Sequence, residues 1–379
     1  MSVRRRTWKT GKGESREAWV ASYTDQAGAR RIATFARKRD AEAYEAQVQI
    51  EVRAGVHTAV GASITVAEAA EDWLSSVELE GRERSTLKTY REHLRLHLLP
   101  RLGHEKLARL TASRVNLFRT VSRTLARKLL ITLEAILRDA MNRGTVSQNV
   151  AAGVRIDNST RDQRKLEVGR DIPSPDEVRR IIQAAPEYWR PLLVVAAFAG
   201  LRASELRGLP WRDVDLKRGE IRVRQRADRF NVISKPKSKA GARSIPLGPF
   251  VINTLRTWKV ACLKGELELV FSTGRGQVIQ HKSLIRSALI PAQLAGGVVT
   301  SGGKAKYTGM HALRHFYASW CINRKVDGGL ELPAKVVQAR LGHTSIVMTL
   351  DTYGHLFPRG DDGAELAAAE RALGLHTTS

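Results

Sequence analysis

The tract from Arg155 to Asp171 is dense in charge and carries no aromatic side chain. It has too little apolar surface to build a core of its own, so the chain on either side must fold into separate bodies joined by a linker, set here at residues 156–172. The 379 residues are long enough for two or three domains, and an apolar fraction of 42% gives each one a core.

Upstream of the linker two patterns follow each other. Residues 1–58 alternate around Trp19-Val-Ala-Ser-Tyr23, turn through Asp25-Gln-Ala-Gly28, and alternate again from Arg30 to Phe35 before a helical stretch from Asp40. This predicts a small sheet with one helix, crowded with Arg4, Arg5, Arg6, Lys9, Lys12, Arg30, Arg31, Arg37, Lys38 and Arg39. Residues 62–155 read as helices. A capping box at Thr65-Val-Ala-Glu68 opens the first, Ser85 can cap a second that reaches Leu99, and apolar spacing continues from Thr111 to Val121 and from Ser122 to Arg143, with Gly144 as the stop. Downstream, residues 173–379 begin at Ser174-Pro175-Asp-Glu177, a capping box with proline at the first helical position. Helices then precede alternating runs at Glu220–Gln225, Phe230–Ser234 and Ser244–Leu247, and the remainder is mostly helical. The whole reads as α+β, mainly α with small β elements.

Lys and Arg number 63 against 38 Asp and Glu, a formal net charge of +25. That excess points to a polyanionic partner, and basic side chains interleaved with Trp8, Trp19, Tyr23 and Phe35 suit a sheet laid against DNA as well as a solvated surface. No apolar run approaches about 18 residues, and the Met1-Ser-Val-Arg-Arg-Arg start lacks a signal-peptide core, so no membrane partner is expected. Cys262 and Cys321 stand apart without CxxC spacing, which leaves no disulfide framework or zinc site and fits a reducing cytoplasm.

Five pieces stand in order in the C-terminal half: Ala199-Gly-Leu-Arg202-Ala-Ser-Glu-Leu206; Lys235-Pro-Lys237-Ser-Lys239-Ala-Gly-Ala-Arg243-Ser-Ile-Pro-Leu247; His311-Ala-Leu-Arg314-His315; Leu341-Gly-His343; and Tyr353. Together they resemble the tyrosine recombinase (phage integrase) family, closely over the catalytic half and more loosely upstream. The chemistry suits these residue types in its own right. A phosphodiester under attack gains charge on its non-bridging oxygens, so the permanently cationic Arg202 and Arg314 are candidate clamps. A tyrosine has a free pKa of about 10, so Tyr353 must hand its proton to a neighbour as it attacks phosphorus. His311 is the expected acceptor, whereas His315 reads as structural.

The resemblance implies that His343 donates a hydrogen bond to a phosphate oxygen. It also implies that a lysine on the turn between two strands protonates the leaving 5′ oxygen; Lys237, followed by Ser, fits better than Lys239. The product would be a 3′-phosphotyrosyl ester, religated without ATP, metal or other cofactor. No Walker-type loop is present, and Ala312 occupies the place of the Glu in a His-Glu-x-x-His zinc helix. One departure stands out: Arg314 and His343 lie 29 residues apart, a few more than the family pattern, with Val326 to Pro333 as the insertion and a surface loop expected there.

By the same resemblance, residues 1–58 are an arm-DNA-binding module, 62–155 a helical core-DNA-binding domain and 173–379 a mixed α/β catalytic domain. The expected partners are double-stranded DNA at core and arm attachment sites, three further copies of the chain in a synaptic tetramer, an excisionase and a DNA-bending host protein. The expected setting is the bacterial cytoplasm, on the nucleoid. The segment beyond Tyr353, including a helix from Asp362 to Leu375, either docks on a neighbouring subunit or folds back on its own domain. A type IB topoisomerase-like enzyme and a DNA-binding accessory protein without catalysis are the alternatives.

Overall fold

The computed structural model describes every residue except 1, 10, 12, 13, 26, 27, 56, 60, 62, 116–119, 157–164, 359–361 and 374–379. The middle of the expected linker, part of the Thr111–Val121 helix and the end of the C-terminal helix therefore lie outside the described residues. The chain divides into two compact units, Met1–Thr160 and Arg161–Ser379.

In the first unit, β1 (Ser2–Lys9), β2 (Ser15–Thr24) and β3 (Arg30–Phe35) form an antiparallel sheet with β2 at its centre. The sequence pattern located β2 and β3 but missed β1, in which three consecutive arginines break the alternation. Helix α1 (Lys38–Arg53) packs on one face, where Tyr44 meets the rings of Tyr23 and Phe35. The register puts Arg4, Arg6, Trp8, Arg16 and Arg30 on the opposite face, because strand side chains alternate.

The same unit holds the helices α2 (Val66–Leu79), α3 (Arg84–His93), α4 (Leu99–Leu102), α5 (Ala112–Val115) and α6 (Arg123–Asn142). They bury a common core that includes Trp73, Leu98, Leu102, Leu129, Leu133, Ile136 and Leu137. Each such side chain contributes about 1.5–3 kcal/mol by leaving water. Thr65 and Glu68 form the expected reciprocal cap of α2, and Ser122 caps α6. Ser85 does not cap α3, because the helix begins two residues earlier than that cap requires and Glu83 occupies the cap position.

A widened turn over Leu94–Leu98 joins α3 to α4, with the Leu99 amide bonded to the Leu94 carbonyl. Pro100 follows, and a proline ring in a continuing helix clashes with the carbonyl four residues back, which the wider turn relieves. Sheet and bundle are tied at Thr58, whose Oγ1 accepts from the Ser147 amide at 2.9 Å.

The second unit opens with α7 (Pro175–Gln183), capped reciprocally by Ser174 and Glu177. Helix α8 (Arg190–Ala199) is apolar on nearly every side and accordingly buried, packed against α7, α10 (Pro249–Ala261) and α13 (His311–Ile322). Short α9 (Ala203–Arg207) precedes the strands. Of these β4 (Val214–Asp215), β5 (Glu220–Val223) and β8 (Arg243–Pro246) make one antiparallel sheet, and β6 (Arg226–Ala227) with β7 (Ile233–Ser234) a second ribbon. Helix α11 (His281–Ser283) passes through another widened turn, Leu284–Leu289, into α12 (Ile290–Ala295), and Pro291 explains it as Pro100 explains the first. After α13 come α14 (Ala334–Leu341), α15 (Ile346–Tyr353) and α16 (Asp362–Ala372).

The chain is thus α+β, mainly helical with small sheets. Among the described residues no helix is long and apolar enough to cross a membrane.

Candidate active site

Helix α8 ends at Gly200, whose φ of +58° suits only glycine well, and an added Cβ would lie 2.2 Å from the Tyr317 ring. This tight stop turns the chain so that the Gly200 carbonyl faces α13 and accepts from Arg314 Nη1 at 2.8 Å. Arg314 donates its other Nη to the Leu341 carbonyl at 2.5 Å and is only 2% exposed. Two residues past Gly200, Arg202 precedes α9 and donates from Nη2 to the Gly342 carbonyl at 3.0 Å. Adjacent carbonyls at the end of α14 therefore hold the two guanidiniums side by side, and Gly342, at φ +64°, makes the turn that presents them.

Arg202 and Arg314 would repel each other, and a buried carboxylate offsets this. Glu205 accepts from Arg202 Nη1 at 2.8 Å and from Arg243 Nη2 at 2.8 Å, and Arg243 also donates from Nε to the Arg340 carbonyl at 2.7 Å. Burial alone would push Glu205 up, but the hydrogen bond and charge of Arg243, with Arg202 behind, hold it down to about 2. Arg314 is lowered to about 9, chiefly by burial and then by Arg202, so it stays cationic at neutral pH. Neither Glu205 nor Arg243 is a candidate from sequence. Their signal is a carboxylate at helix-cap spacing, three residues after Arg202, and an arginine opening the Ser-Ile-Pro-Leu strand.

Tyr353 closes α15 and is 1% exposed. Its hydroxyl is bonded to His315 Nδ1 at 2.7 Å, so the histidine read as structural is the one beside the tyrosine oxygen. His311, the expected acceptor, is exposed and stands one turn earlier on α13, its ring edge-on to His315 at 4.9 Å between centroids. Spacing of four residues on a helix puts both rings on one face but does not say which of them meets the tyrosine. Burial pushes the Tyr353 hydroxyl up to about 12 against the pull of Arg314 and Arg202.

His343 lies parallel to the Tyr353 ring, with centroids 6.4 Å apart, and bonds the Thr349 hydroxyl through Nδ1 at 2.9 Å. Burial, then Arg314, Arg202, Arg243 and His311, bring its pKa down to about 4. The insertion does not move it away. Residues Lys325–Asp327 make a single turn, and Leu330 and Leu332 bond back to the Trp320 and Cys321 carbonyls, which leaves α14 on the site.

Lys237 lines a cavity of about 210 Å³ together with Arg202, Glu205, Arg226 and Gly241, whereas Lys239 is not part of its wall. Arg226, on β6 and 9% exposed, adds a positive group that sequence reasoning did not single out. The arrangement can therefore seat an anion between several cations beside a buried phenol. Among the described residues, no group of three or more His, Cys, Asp or Glu could hold a metal ion.

Residues 174–359 match the model of the phage integrase family. Over 362 residues the chain is 24% identical to a tyrosine recombinase XerC-like protein of Caldanaerobacter subterraneus subsp. tengcongensis, spanning 85% of this chain and 87% of that one. It is 26% identical over 193 residues to the ICEBs1 integrase of Bacillus subtilis, covering 48% of this chain and half of that integrase.

Among solved structures, the Tn1549 transposon integrase in complex with circular intermediate DNA superposes with a TM-score of 0.63 at 18% identity, over 82% of this chain and all of that one. A lambda integrase tetramer bound to a Holliday junction gives a TM-score of 0.55 at 20% identity, over 89% of this chain and 95% of that one. At such identities the likeness to solved structures is one of fold.

Proposed function

We propose that this chain is a site-specific DNA recombinase that integrates or excises a phage or other mobile element, a reading supported by the match of residues 174–359 to the phage integrase family model and by the likeness to a tyrosine recombinase XerC-like protein. The observation that carries the reading is the pairing of Arg202 and Arg314 on the Gly342 and Leu341 carbonyls, with the buried Tyr353 hydroxyl bonded to His315, the residue after Arg314 on α13. In this reading the two guanidiniums bind the non-bridging oxygens of the scissile phosphate and stabilise the charge that grows there. Tyr353 attacks phosphorus to give a 3′-phosphotyrosyl ester, and Lys237 protonates the departing 5′ oxygen. His343 and the exposed His311 donate hydrogen bonds to the phosphate. The bond energy stays in the ester, so the free 5′ hydroxyl of another strand reverses the step without a nucleotide cofactor.

The basic face of the sheet, with Arg4, Arg6, Arg16 and Arg30, is the proposed contact to arm DNA, and the helices of residues 62–155 with the catalytic unit hold the core site. The working form is a tetramer across two duplexes in the bacterial cytoplasm, assisted by an excisionase and a DNA-bending protein. Incubating wild type and Tyr353→Phe with suicide substrates of the attachment site tests the nucleophile. A denaturation-resistant adduct with wild type alone is expected. An adduct with the variant would move the nucleophile elsewhere, and none with either would leave a binding protein. Joining of paired sites in trans separates a recombinase from an enzyme that only relaxes DNA.

A further inference from the structure

We propose that His315 is a catalytic residue, the group that accepts the Tyr353 proton as the phenolic oxygen attacks phosphorus. The inference rests on Tyr353 being the nucleophile and reassigns the part that sequence gave to His311. Tyr353 is 1% exposed, so its proton must leave through a protein group, and His315 Nδ1 is 2.7 Å from its oxygen. The other two histidines are placed for different tasks. His343 has its Nδ1 committed to Thr349, and His311 is exposed, where a DNA phosphate can reach it.

With the imidazole in its Nε2–H tautomer, Nδ1 carries the free lone pair and the phenol donates to it. Four groups face the ring: His311 and Arg314 from its own helix, Tyr353 from α15, and Asp171 from the segment before α7. Burial, then His311 and Arg314, lower the His315 pKa to about 4 against the opposing pull of Asp171, so the ring is neutral and able to accept at physiological pH. Protonation beside Arg314 is unfavourable in the free protein. A phosphate anion seated on Arg202 and Arg314 offsets that repulsion, so the base strengthens as the substrate arrives.

The Tyr353 oxygen forms a bond to phosphorus while its proton passes to His315 Nδ1, leaving an imidazolium. The bond from phosphorus to the 5′ oxygen breaks, and that oxygen takes a proton from the Lys237 ammonium, leaving a neutral amine. Religation runs the same transfers backwards.

The test is single-turnover cleavage of a suicide substrate by full-length wild type, His315→Ala and His311→Ala between about pH 6 and pH 9. Wild type and His311→Ala should be nearly level with pH. His315→Ala should fall by roughly 10²–10⁴-fold near neutrality, climb about tenfold per pH unit as hydroxide replaces the base, and recover with added imidazole. A uniform fall with an unchanged profile would make His315 structural, and a slope appearing in His311→Ala would return the proton to His311; either outcome overturns the proposal. Nitrogen NMR of the wild-type ring gives a check that does not depend on a variant folding: Nδ1 must be unprotonated and Nε2 protonated, and the reverse tautomer also overturns it. A wild type that forms no Tyr353 adduct fails at the earlier reading of the nucleophile instead.

Discussion

Replacing Glu205 by glutamine removes the carboxylate hydrogen-bonded between Arg202 and Arg243, with the buried Arg314 charge nearby. Glu205 is 3% exposed, so solvent screens the loss very little. Its pKa falls from an ordinary 4.5 to about 2 on folding, and a difference of roughly 2.5 units at about 1.36 kcal/mol each corresponds to about 3 kcal/mol of stability. Since the folded value is the lower one, this stability is complete above the unfolded pKa and is lost as pH falls through the folded one. By the same linkage roughly 1.4 kcal/mol remains at about pH 3.

Urea unfolding of wild type and Glu205→Gln, followed at pH 7 and at pH 3, should therefore show a gap that narrows by more than half. For a unit of this size the neutral-pH deficit corresponds to a melting shift of roughly 6–12 °C. A variant within about 1 kcal/mol of wild type at pH 7, or a gap that stays constant with pH, would mean that Glu205 is not the counter-ion on which the arginine pair depends.

Gly200→Ala forces a left-handed backbone on a residue with a side chain and drives that side chain into Tyr317, so a loss of about 2–5 kcal/mol is expected in the same urea assay; a loss under about 1 kcal/mol would contradict the tight stop. Lys237→Ala should cleave ordinary DNA roughly 10²–10⁴-fold more slowly yet recover on a substrate whose leaving 5′ oxygen is replaced by sulfur, which departs unprotonated, while Lys239→Ala stays close to wild type. Substituting Arg4, Arg6 and Arg30 together by alanine should flatten the dependence of arm-DNA affinity on salt by about 0.9 for each phosphate no longer neutralised, read from binding isotherms at several salt concentrations; an unchanged slope would remove that face from the interface.

Sequence was most informative where local chemistry decides the outcome. Thr65 with Glu68 and Ser174 with Glu177 carry their caps in the spacing of side chain to amide, and the apolar run from Pro191 to Ala199 is readable because a helix buried all round has no polar face. The arginine pair was legible as chemistry, but its support was not, because Glu205, Arg243 and the carbonyls of Gly200, Leu341 and Gly342 meet only after distant segments pack. The place of His315 beside Tyr353 was hidden for a related reason. Periodicity puts His311 and His315 on one face, yet which of them lies beneath Tyr353 depends on how α15 docks. The widened turns at Leu94–Leu98 and Leu284–Leu289 follow from Pro100 and Pro291, where a proline reads equally well as a stop.

The bonds at Gly342 and Leu341 also bear on the order in which the site assembles as the chain is made. Arg202 leaves the ribosome well before its anchoring carbonyl, which lies 140 residues further along, and Tyr353 comes later still. A nascent or truncated chain holding both arginines lacks the carbonyls that orient them and the Tyr353 hydroxyl. The site is thus complete only once the last third of the second unit closes onto its first third, and on the proposed reading a chain cut short before Tyr353 has no nucleophile with which to nick DNA.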